Sequence, residues 1–119
     1  MIDRARKSGQ PYKLQGGIFT GPAAVVDAAG PIPLKHSVVQ FRAPAISGAT
    51  AVTLSDSPTQ GFILVLTVTT VAGGDSVVVT PENLAGYATI TFDALGETAT
   101  LIFVGTEWQV LAVTGATLA

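Results

Sequence analysis

The chain has 119 residues, room for one domain of ordinary size, and 48% of them are hydrophobic against 12% charged, which excludes a disordered composition. Its net charge of −2 conceals a split: the first 42 positions hold all six basic residues and two acids, giving +4, whereas the rest hold six acids and no base, giving −6. There is no cysteine, so disulfides, thiol catalysis and cysteine-ligated metals are excluded. A small domain with so few charges must either show Thr, Ser, Gly and apolar groups to water or cover them with another chain, and the reading is a subunit of an assembly.

Residues 1 to 35 show neither helical nor strand periodicity. Gly9, Pro11, Gly16, Gly17, Gly21, Pro22, Gly30, Pro31 and Pro33 recur too often for a regular element to propagate. The reading is an extended N-terminal attachment arm over 1–36, with Arg4, Arg6, Lys7 and Lys13 supplying charge and Ile18 and Phe19 an apolar patch. The basic N-terminus has no apolar block behind it, which argues against a secretory signal.

A β pattern begins near residue 37 and defines a β-domain over 37–119. Val38 to Arg42, Ala51 to Ser55, Phe62 to Val71, Ser76 to Thr80, Ala88 to Asp93, Thr98 to Val104 and Trp108 to Val113 are rich in Val, Ile, Thr and Phe. Turn residues separate them, notably Asp56-Ser57-Pro58, Ala72-Gly73-Gly74-Asp75, Leu95-Gly96-Glu97 and Gly105-Thr106. The expected fold is all-β, a compact antiparallel sandwich or barrel of about seven strands. Thr80 to Gly86 could form a single helical turn, with Thr80 as cap, Pro81 in the first turn and Gly86 as stop.

Alternation assigns faces. Ile90 and Phe92 point one way, as do Ala99, Leu101 and Phe103, while Thr89, Thr91, Thr98, Thr100 and Ile102 point the other; Trp108, Val110 and Ala112 form a third inward set. The run from Phe62 to Leu66 is apolar on both faces. It is expected to be a central strand whose second face, carrying Ile63 and Val65, meets a sister subunit. Thr67, Thr69 and Thr70 interrupt the apolar run, which is far shorter than the ~20 residues of a membrane helix.

The chemical inventory is thin. His36 is the single histidine and sits in the linker between Lys35 and Ser37, where a solvated role outweighs that of a general base. Asp75, Glu97 and Glu107 fall in or beside turns, where carboxylates ordinarily just solvate a loop; two on neighbouring loops could in principle serve glycoside hydrolysis, whereas no closely spaced run of acidic ligands offers a calcium loop. Gly16-Gly17 and Gly73-Gly74 lack the Lys-Ser/Thr of a phosphate loop. Four arm cations without interleaved aromatics favour an acidic protein surface over nucleic acid. Trp108, on an alternating strand, reads as core with its ring N–H bonded to a carbonyl.

The segment from Ser76 to Val110 carries the patterns V-x-V-T-P, N-L-A-G, T-I-T-F-D-A-x-G and T-L-x-F-x-G-x-x-W-x-V. In these it resembles a β-rich module of tailed-bacteriophage structural proteins, most of all the small capsid decoration (cement) proteins, over roughly residues 62 to 113. The resemblance implies a non-enzymatic protein without cofactors, a homotrimer on the outer surface of the virion capsid. Its partner would be the major capsid protein, with no nucleic acid and no membrane involved. The alternative is a phage fibre or spike component that binds a host-surface glycan.

Overall fold

The computed structural model describes residues 23–42, 49–70 and 75–119. Among these there are ten strands and no helix. They are β1 (Ala24–Val26), β2 (Gly30–Pro31), β3 (Val38–Arg42), β4 (Ala49–Leu54), β5 (Ile63–Thr70), β6 (Ser76–Pro81), β7 (Ile90–Phe92), β8 (Thr98–Val104), β9 (Glu107–Thr114) and β10 (Thr117–Leu118). The seven β-rich stretches of the sequence correspond to β3 to β9. The additional three are strands of two or three residues, too short to show a period.

The strands form two five-stranded sheets, ordered β1-β3-β5-β8-β9 and β10-β7-β6-β4-β2. Pairing is mixed, not antiparallel throughout. The first six strands alternate between the sheets, so each connection leaves one sheet and returns to it in the same direction, and β1-β3, β3-β5, β2-β4 and β4-β6 are parallel. The later pairs, β5-β8, β6-β7, β8-β9 and β7-β10, are antiparallel. A parallel return needs a long crossover, which here is a strand of the opposite sheet. Neither sheet closes on itself, since each ends in two edge strands.

Inward-facing side chains of both sheets share one apolar core. Val39, Phe41, Leu64, Leu66, Ala99, Leu101 and Trp108 from the first sheet, and Val52, Leu54, Val79, Ile90 and Phe92 from the second, are essentially excluded from water. Phe41 meets Phe92 across the sheets with ring centroids 5.4 Å apart. Trp108 lies edge-on to Phe62 and Phe103. Each of the buried Val, Leu, Ile and Phe side chains among them contributes about 1.5–3 kcal/mol.

Three expectations need correction. Part of the segment read as an arm belongs to the body: β1 and β2 add an edge strand to each sheet, and Ala24 and Ile32 are buried. Its glycine and proline suit an edge, where Pro31 can lack a ladder donor. Residues 80–86 make no helical turn, because Thr80 and Pro81 end β6 and Trp108 pairs with Leu84 instead. The Trp108 N–H bonds the Asn83 carbonyl at 2.9 Å and the Ala85 N–H bonds the Trp108 carbonyl at 2.9 Å. Finally, Ala112 is exposed on the outer face, opposite Thr100, because Leu111 is an extra residue in the β8-β9 ladder. That bulge shifts the alternation by one, turning Val113 inward.

Candidate functional site

The outer faces of the sheets follow from the same alternation that builds the core. On the first sheet, Ile63 of β5 stands beside Ile102 of β8, which stands beside Gln109 of β9. The next row reads Val38, Val65, Thr100, Ala112, and the one after it Val25, Gln40, Thr67, Thr98. Val25, Val104 and Leu111 are about half exposed at 45%, 48% and 56%. Ile63 and Val65, the expected contact residues, are half-buried at the centre of this face, since β5 is the third of five strands. The only charges in these strands are Arg42 and Glu107.

The second sheet carries no charged residue in any of its strands. One outer row reads Ala51, Val78, Thr91, Thr117, and Thr53 stands beside Thr80 in another. Among the described residues charge is confined to the loops, apart from Arg42 and Glu107. Water is an adequate partner for the threonine hydroxyls of both faces, but the methyl and branched aliphatic groups between them gain free energy only when another surface covers them.

The loops at the end of the molecule where β4 and β6 terminate are braced by polar contacts. Asn83 Nδ2 donates to Asp56 Oδ2 at 2.8 Å, and the Asp56 N–H donates to Glu82 Oε1 at 3.1 Å. Gln60 clamps the β8-β9 turn, its amide donating to the Gly105 carbonyl at 2.8 Å and accepting from the Gly105 N–H at 2.7 Å. Asp56 Oδ1 is buried without a hydrogen-bond partner among the described residues. A small open cavity nearby is lined by Thr53, Leu54, Ser55, Thr80, Pro81 and Glu82; its one ionisable group, Glu82, is occupied in holding Asp56.

The carboxylates singled out in the sequence do not converge. Glu97 and Glu107 flank opposite ends of β8, a seven-residue strand that separates them by roughly 20 Å or more, against the ~5–9.5 Å of a glycosidase pair. Glu97 is buried, with Oε1 accepting from the Asp93 N–H at 2.7 Å, and so closes its own turn. Asp75 is buried ahead of β6. His36 is half-buried in the link into β3. Among the described residues no group of three or more His, Cys, Asp or Glu could hold a metal ion, and no helix is long and apolar enough to cross a membrane. Arg4, Arg6, Lys7, Lys13, Ile18 and Phe19 lie outside the described residues.

No protein-family model matches the chain, and no curated protein matches it in sequence. The two charge-poor outer faces are therefore the features on which a functional reading rests. Val38, Ile102 and Val104 join Ile63 and Val65 as candidate contact residues. The signal for Ile102 was its place opposite the inward Leu101 and Phe103; the cross-strand row that gathers it with Ile63 comes from register, which alternation does not specify.

Proposed function

We propose that this chain is a non-enzymatic structural subunit of a tailed-bacteriophage virion, a decoration protein on the outer surface of the head that stabilises it by bridging capsid subunits. The observation that carries the reading is the near absence of charge from the ten strands, with Val, Ile, Thr and Ala turned outward from both layers of what we read as an open sandwich. A body so built is suited to being covered rather than to chemistry. Arg4, Arg6, Lys7 and Lys13, with Ile18 and Phe19, supply the attachment to the major capsid protein in this reading. A homotrimer would give each particle several such arms and thus avidity. A ligand that binds the assembled shell and not its separated parts shifts the assembly equilibrium by mass action.

The test is co-sedimentation with heads that lack the protein, coupled to the temperature at which heads release their DNA. Full-length protein should bind and raise that temperature, whereas a chain lacking residues 1 to 17 should keep its fold and lose binding. Failure of the full chain to bind heads refutes the function; undiminished binding by the truncated chain refutes the arm. Tyr87, 47% exposed near the braced loop end, favours a second reading as a fibre or spike component whose loops take a host-surface glycan. Glycan-array binding without affinity for heads would select it.

A further inference from the structure

We infer that the outer face of the first sheet packs against the same face of a second copy across a twofold axis, with Val65 and Thr100 at its centre. This rests on reading the chain as an assembly subunit. A patch that meets its own copy does so isologously, each residue i touching j while j touches i. The face has the area for this. Five strands ~4.8 Å apart, the longest of eight residues at ~3.3 Å each, present roughly 500 Å² per copy. A pair then buries about 1,000 Å², the size a specific contact between copies has to clear and short of the ~1,200–2,000 Å² of standard stable interfaces.

Its charges also suit a second copy. Across β5 and β8 the outward side chains are Ile63, Val65, Thr67, Thr100, Ile102 and their neighbours, none of them ionisable, so no axis through the centre opposes like charges there. Arg42 ends β3, whereas Glu107 begins β9 beyond the opposite end of β5, so the two stand at diagonal corners. Neither has an ion-pair partner among the described residues. A twofold axis perpendicular to that diagonal, lying in the plane of the face, lays Arg42 of each copy beside Glu107 of the other. Asp27, just past β1, and Lys35 and His36, ahead of β3, complete the rim and stay in water. This contact is compatible with a threefold one made elsewhere on the molecule, which would give even multiples of the trimer.

Sedimentation equilibrium of the full chain should give two copies or a multiple of two; a mass of one or three copies overturns the inference. Val65→Lys should weaken the pair on the order of a hundredfold, because each copy would bring an unpaired ammonium group into the contact. Val78→Lys, on the outer face of the second sheet, should leave the mass unchanged. Because the chain has no cysteine, Thr100→Cys treated with a short bis-maleimide reports on the axis without requiring Val65→Lys to fold. Linked pairs are expected, and their absence overturns the twofold placement. Head binding is scored separately. Pairs that do not bind heads sink only the decoration role, and single copies that do bind heads sink only this contact.

Discussion

Trp108 Nε1 donates to the carbonyl of Ser55 across 3.1 Å, tying the edge strand β9 of one sheet to the end of β4 in the other. The indole is fully buried against Phe62 and Phe103, and its backbone simultaneously pairs with Asn83 and Ala85. One residue therefore links the two sheets through its ring and the loop after β6 through its main chain.

Trp108→Phe should keep the edge-on aromatic contacts but lose the inter-sheet hydrogen bond and leave a space where the larger ring stood. The expected cost is about 1–3 kcal/mol. Urea unfolding followed by far-ultraviolet circular dichroism measures it, since the variant has no tryptophan to report. An unchanged midpoint would show that the Ser55 bond contributes nothing net.

Gly115 leaves no room for a side chain beside Glu97. Its φ is +80°, and a Cβ added there would lie 2.8 Å from Glu97 Cγ. Gly105, with φ +71°, has open space at the same position. Gly105→Ala should thus cost only the left-handed backbone, about 1–2 kcal/mol, and Gly115→Ala more. Adding Glu97→Ala to Gly115→Ala removes the clashing atoms, so a double-mutant cycle should return a coupling of about 0.5–3 kcal/mol. Strict additivity would mean that the backbone alone sets the cost.

These particulars mark what the sequence can and cannot carry. Alternation in 98–104 is a local property, and it places Ala99, Leu101 and Phe103 inward as found. The direction of a neighbouring strand is not local, so nothing in Val38 to Arg42 reveals that β3 runs parallel to β5. The same holds for Leu111, whose insertion is visible only against the register of β8. Of the candidate contact face, Ile63 and Val65 were legible because the run around them is apolar on both sides. Val38 and Val104 were not, since isolated apolar residues near strand ends look alike until register groups them.

Substitutions on adjacent positions of β5 should separate core from surface. Leu66 is fully buried, and Leu66→Ala should cost about 2–5 kcal/mol by leaving a cavity. Val65, one residue earlier, faces outward, so Val65→Thr should alter the stability of the isolated chain by no more than about 0.5 kcal/mol. Thermal melts at several protein concentrations distinguish the two effects. The Leu66 loss persists at every concentration, whereas any Val65 effect should grow with concentration as self-association contributes. A concentration-independent loss for Val65→Thr would place that side chain in the core.

Truncations define where the body begins. A chain starting at residue 23 retains β1 and β2 and should melt like the full chain. Starting at residue 37 removes both strands, the buried Ile32 side chain and its backbone N–H bond to the Thr53 carbonyl at 2.9 Å. Burial of Ile32 alone contributes about 1.5–3 kcal/mol, and each kcal/mol corresponds to roughly 4–8 °C in a domain of this size. The shorter chain should melt on the order of 10 °C lower and, with β3 and β4 left as unprotected edges, associate more readily. Equal melting temperatures for the two truncations would mean that the sheets do not depend on the segment 23–36, returning the whole of it to the arm.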